Sequence, residues 1–222
     1  MSNRIDLYKD IHKGLRSFLI QQLASAGPLD LANDQQLQSF NLQLQKLMAL
    51  LDEHGMHEDK WLHPLLTELN PTLAEKAETQ HQRLDNDIAI VCEKYSQLAA
   101  LPTVQRAQPG HQAYLLLAEF VGAYLSHMHL EESEVLVLLQ SAYSDAELLE
   151  IQQQLRSSVT PQRMADYLSI IIPALNIDER SEMLGEMQRF APTEVFQGVC
   201  QLSATLLSAN DWTALQSRLG LS

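Results

Sequence analysis

Four long stretches of this chain carry apolar residues at alternating spacings of three and four, and a histidine interrupts the stripe in every one. That spacing is the mark of helices with one buried face. The first stretch, about Arg4 to Ala24, reads Ile5, Tyr8, His12, Leu15, Leu19, and Gly27-Pro28 breaks it. The second begins at Asn33 or Asp34, both good N-caps, and reads Leu37, Phe40, Leu44, Leu47, Leu51, His54, Glu58, Trp61, Leu65 as far as Asn70-Pro71. The third opens on Thr72-x-x-Glu75, taken as a capping box, and reads Leu73, Ala77, His81, Leu84, Ile88, Val91, Tyr95, Leu98. The fourth follows Pro109-Gly110 and reads Leu117, Phe120, Tyr124, His127, Glu131, Val135, Leu138 to about Tyr143. With only eight glycines and short β-branched runs, no sheet is expected. The expected fold is all-α, an antiparallel four-helix bundle over residues 1–143.

Residues 144–222 read as further helices and are expected to form a helical extension packed on the bundle. Ser144-x-x-Glu147 is a capping box, Thr160-Pro161 opens a helix through Leu175, Asp178 opens another, and Pro192 and Asn210 begin the last two. The 222 residues are long enough to bury a full core without disulfides. Cys92 and Cys200 lie far apart and form no C-x-x-C pair, which argues against a redox dithiol or a zinc knuckle and fits a reducing compartment. No run of eighteen apolar residues occurs, and MSNRIDLYKDIHKGLR has no apolar signal core, so a soluble, cytoplasmic protein is expected. A formal charge of −13 would repel phosphate backbones and excludes nucleic acid as the expected partner.

Two of the stripes carry a histidine and a glutamate four residues apart, His54 with Glu58 and His127 with Glu131. One helical turn separates such a pair, so both side chains point to the same side of the helix. The segments around them align without a gap, HGMHEDKWLHPLL from His54 over HMHLEESEVLVLL from His127. A lone histidine precedes each pair, His12 by 42 positions and His81 by 46. The bundle therefore reads as a duplicated helical hairpin, each copy supplying two histidines and one glutamate. Burying all six groups without a cation would cost roughly a few kcal/mol for each unpaired one, a total comparable to the stability of a domain. A two-metal site removes that cost. Imidazole and carboxylate without thiolate suit iron or manganese and are tolerated by zinc. If both glutamates bridge, a further oxo or hydroxo bridge leaves a position open on each metal for a small ligand.

This combined pattern resembles the hemerythrin-like HHE cation-binding family. The resemblance is carried by His12-x-x-Leu15-Arg16, by His54-x-x-x-Glu58-Asp59 through Pro64, by His81, and by His127-x-x-x-Glu131-Glu132, over about residues 4–143. Oxygen-carrying hemerythrins have H-x-x-x-H on the third helix and H-x-x-x-x-D on the fourth, whereas here Asp85 follows His81 and the last pair is H-x-x-x-E. The four-histidine, two-glutamate set is instead similar to the di-iron domain of bacterial iron-centre repair proteins. It implies two iron ions that meet a diatomic ligand or peroxide, in nitrosative or oxidative stress or in iron handling.

Several residues are expected around the centre. Arg16 and Asp85 hold equivalent places in the two hairpins, which fits either a pairing across the site or two solvent-facing flank charges. Tyr8 and Tyr124 lie about one turn from ligands and could donate a hydrogen bond to a bound molecule, although core packing is the favoured role of both. His57, His63 and His129 fall off the seams, His111 lies at a helix start, and all four are expected in surface or capping roles. Three functions fit: a redox enzyme, a reversible sensor or binder of oxygen, nitric oxide or iron signalling through the C-terminal helices, and a metal-stabilised module that meets a protein partner there.

Overall fold

The computed structural model describes residues 4–221, and among them every regular element is helical. The elements are α1 (Lys9–Ala26), α2 (Asp34–Trp61), α3 (His63–Leu69), α4 (Pro71–Ala100), a 3-10 turn (Thr103–Gln105), α5 (Ala107–Leu130), a π-helical turn (Glu131–Val135) and α6 (Leu136–Ala142). After these come α7 (Asp145–Ser157), α8 (Pro161–Ala174), α9 (Ile177–Phe190), α10 (Thr193–Leu206) and α11 (Ala209–Leu219). No helix among the described residues is long and apolar enough to cross a membrane.

The chain divides into two compact units: the chain up to Tyr8 together with Phe18–Ser158, and Lys9–Ser17 together with Val159–Ser222. In the first, α4 packs against α2, α3 and α5, which brings the histidine-bearing turns of α2, α4 and α5 together. Leu37, Leu44, Leu47 and Leu51 of α2, with Leu117 and Phe120 of α5, are almost completely buried. In the second unit, Leu168, Ile172, Leu184, Val199 and Leu215 from four helices form a core of their own. There the first half of α1 lies close to α8. A Cβ on Gly14 would stand 3.1 Å from the amide nitrogen of Ile171 and 3.2 Å from the carbonyl carbon of Ile170, so a larger residue would crowd the backbone of α8.

Most helix starts follow from their caps. The Asn33 side chain accepts from the amides of Gln35 and Gln36, Thr160 accepts from Arg163, and the Ser144–Glu147 capping box forms as expected. The Thr72–Glu75 box does not open α4. The start belongs to Asn70, whose side chain accepts from the Leu73 amide while Pro71 occupies the first helical position. Asn70 also ends α3, its own amide donating to the Leu66 carbonyl at 2.7 Å. A single residue thus separates the two helices. Similarly, Asn176 and Ser208 cap α9 and α11, two residues ahead of the expected starts at Asp178 and Asn210.

The second stretch is not one helix, for it breaks at Leu62, and the fourth changes pitch at Glu131. The cause is spacing. Beyond Glu58 the buried positions are Leu62 and Leu66, not Trp61 and Leu65, and beyond Glu131 they are Val135 and Leu139, not Leu138. A step of four overshoots a full α-helical turn by about 40°. Two or three such steps in succession carry the stripe off the face unless the helix breaks or widens. α2 breaks, and α5 passes into a π turn, a form that tends to occur at functional sites.

Candidate metal centre

All six histidines and glutamates singled out by spacing are at most 8% exposed: His12 0%, His127 2%, Glu58 and Glu131 3%, His81 5%, His54 8%. They fall into two groups able to hold a cation. One is His12, His54, Glu58 and Glu131, and the other is Glu58, His81, His127 and Glu131; within each, the ligand atoms lie within 4.8 Å of one another. Both glutamates belong to both groups.

The α-helical turn sets the pairs within each strand of the repeat. His54 Nε2 stands 3.3 Å from Glu58 Oε1, and His127 Nε2 stands 3.2 Å from Glu131 Oε1. From α4, His81 Nε2 reaches Glu58 Oε2 at 3.6 Å and Glu131 Oε1 at 3.7 Å. Neither oxygen of the buried Glu58 carboxylate has a hydrogen-bond partner. Burial first, and then the negative charge of Glu131, push its carboxyl well above the ordinary range. Two carboxylates so placed favour a cation between them.

The histidines point the same way. His81 Nδ1 faces Asp59 Oδ1 at 2.7 Å, and His127 Nδ1 faces Gln80 Oε1 at 3.0 Å. Both partners can accept, so a proton on each Nδ1 would leave the Nε2 lone pair free for a cation. Those two Nε2 atoms are 2.9 Å apart. Two nitrogens that close could both reach one ion, and the Nδ1 contacts are the kind that orient metal-bound imidazoles. The donor set therefore fits a metal pair.

Three residues of this arrangement carry no signal in the helical stripes: Asp59, His63 and Gln80. Asp59 Oδ1 accepts from His81 and also lies 3.0 Å from His63 Nδ1, while the His63 ring stacks on that of His81 at 4.8 Å. His63, expected at the surface, is thus a neighbour of the centre. Burial and then the charge of His81 pull its pKa down. Burial also acts to lower His81, but the hydrogen bonds and charges of Glu131 and Asp59 outweigh it and raise the value. Their sequence signal was available: Asp59 follows Glu58 directly, and Gln80 precedes His81.

The remaining expectations divide. Tyr8 is buried, and burial followed by the charges of Glu131 and Glu58 holds its hydroxyl well above the ordinary phenol range. It stays a proton donor beside the carboxylates. Tyr124 sets its ring edge against His127 at 5.9 Å, with its hydroxyl 3.5 Å from the Leu51 carbonyl. Asp85 stands in surroundings dominated by its own sign: burial first, and then the charge of Asp52, push its carboxyl up. Arg16 is part-buried on α1. His57 bonds to Ser158 Oγ at 3.0 Å, a structural role.

A family model, the hemerythrin HHE cation binding domain, matches residues 3–139, well over half of the chain. The chain belongs to the hemerythrin HHE cation-binding family. The match spans all six clustered ligands, so the hemerythrin domain here is a helical, metal-capable bundle of the four-histidine, two-glutamate type. At the stringency applied, no curated protein and no solved structure matches the chain.

Proposed function

We propose that this hemerythrin-family protein is a non-haem di-iron protein whose centre binds or reacts with a small oxidant, such as dioxygen, nitric oxide or peroxide, in stress response or iron handling. The observation that carries the reading is that Glu58 and Glu131 belong to both ligand groups, each of which adds two histidines. Shared carboxylates with nitrogen and oxygen donors are a chemistry suited to paired iron. His12 and His54 would hold one ion, His81 and His127 the other, and both glutamates would serve the pair. When bound, iron supplies redox and Lewis-acid chemistry together with an open position for a small molecule. The chain's own residues orient the imidazoles through Asp59 and Gln80, keep the carboxylates dry, and hold a phenol proton at Tyr8.

Anaerobic reconstitution with ferrous iron, followed by metal counting and optical spectra on exposure to air, tests the reading. Two irons per chain are expected. The proposal is falsified if His54→Ala and His127→Ala together leave the iron stoichiometry unchanged. A tight zinc site indifferent to reductant would replace it with a purely structural one. Repeated turnover of peroxide or nitric oxide with an electron donor would mark an enzyme rather than a reversible binder.

A further inference from the structure

A centre buried to this degree needs a route by which a small molecule arrives. A cavity of about 20 Å³ lies between α2 and α4, and His81 is part of its lining. Its lining joins the buried His81, Leu51, Leu84 and Tyr124 to the exposed Asp52, Met56, Asp59 and Asp85. It therefore borders both the surface and one of the six clustered residues. A space of that size admits roughly one water-sized molecule. Dioxygen, nitric oxide and hydrogen peroxide are of that scale, and larger molecules are excluded by size.

Gly55 lines this cavity in the middle of α2. Glycine inside a helix costs about 1 kcal/mol relative to alanine, so it needs a reason. Close packing is not the reason, because a Cβ built at Gly55 meets nothing within 4 Å. The repeat supplies one. In the gap-free alignment of the two hairpins, Gly55 corresponds to Met128, which is fully buried. One copy carries a buried side chain at this position, and the other carries none.

We infer that the cavity beside Gly55 is the entrance through which a small uncharged ligand reaches the His81 side of the centre, an inference that rests on the di-iron reading above. The rim explains the preference for an uncharged molecule. Asp52, Asp59 and Asp85 surround the mouth, and no lysine or arginine lines it, so anions of the same size are repelled.

The test is rapid mixing of nitric oxide with the diferrous protein and with Gly55→Ala, Gly55→Val and Gly55→Leu. The binding rate is expected to fall as the side chain grows, by tenfold or more for leucine, with iron content and final spectrum unchanged. The graded series keeps the test open if leucine impairs folding, since the alanine form meets no neighbour. Wild-type and substituted proteins that bind at one rate overturn the entrance alone. A wild-type protein that takes up no iron, or whose iron binds no nitric oxide, overturns the di-iron reading and the entrance with it.

Discussion

The helix that carries His54 and Glu58 and the helix that carries His127 and Glu131 begin from nearly the same instructions and end differently. Each places a histidine and a glutamate one turn apart, and each then buries apolar residues four and eight positions after the glutamate. After Glu58 the helix keeps its pitch to Trp61 and breaks at Leu62; after Glu131 the backbone widens at once into a π turn. One position past the histidine, α2 has Gly55 beside an open cavity, and α5 has the fully buried Met128. The difference teaches that the repeat fixes where ligands stand, while departures from it decide which side of the centre meets solvent.

The largest expected effect asks whether the halves share a metal pair at all. Two ions at roughly a hundred times their Kd would contribute about 5 kcal/mol together. Chelation should then lower Tm by roughly 10 °C or more, at about 2–4 °C per kcal/mol for a chain of this size. Thermal unfolding of protein with and without a chelator checks it, and in Glu58→Ala the same chelator should shift Tm far less. Next comes the position that carries Met128 in one copy and Gly55 in the other. Met128→Ala should destabilise by about 2–5 kcal/mol, since it empties a fully buried site. Gly55→Ala should instead stabilise by up to about 1 kcal/mol. Denaturant titration of the two variants would break the comparison if they moved stability the same way.

A smaller effect concerns the support of a single histidine. Asp59→Asn leaves His81 without its carboxylate partner and should weaken metal binding about 10–100-fold, as for other partners of metal-bound imidazoles. Competition with a chelator of known affinity measures it; unchanged affinity would show that stacking by His63 alone holds the ring. The smallest effect lies at the end of the second hairpin. Arg4 donates to the carbonyls of Gln140 and Tyr143 and to Asp145, closing the last turn of α6. The hydrogen bond from Arg4, then that from the Ile5 amide, hold the Asp145 carboxyl below its usual value. A depressed carboxyl stabilises above its unfolded pKa of about 3.9 and loses that contribution as pH falls through the lower folded value. Tm of wild type should therefore exceed that of Asp145→Asn slightly at neutral pH, and the two should converge in acid.

The clustering of the six side chains was legible in the sequence because each pair is local. Four residues on a helix put His54 over Glu58 whatever the rest of the chain does, and the second copy repeats the statement. The bundle was legible for the same reason, through stripes whose spacing averages 3.5 from Leu37 to Glu58. What escaped lies where that average changes. The run Glu58, Leu62, Leu66 and the run Glu131, Val135, Leu139 step by four throughout, but Trp61, Leu65 and Leu138 offered equally apolar alternatives that kept the ordinary period. The pitch change was present in the residues and hidden by redundancy. Asp59 and Gln80 escaped for another reason: each acts on a histidine of a neighbouring helix or turn, and no periodicity encodes that.

The single residue between α3 and α4 has a consequence for anyone who wishes to cut or tag the chain. Asn70 caps both helices, so an insertion there would separate two sets of hydrogen bonds and change the angle at which His81 is presented. The turn at Thr103–Gln105 is the opposite case: Val104 is 89% exposed, and the anchoring falls to Arg106, which bonds to Leu101, Leu31 and Asp34. New termini, a reporter peptide or a protease site belong at Val104, where the bundle can be opened without disturbing the hinge of the repeat.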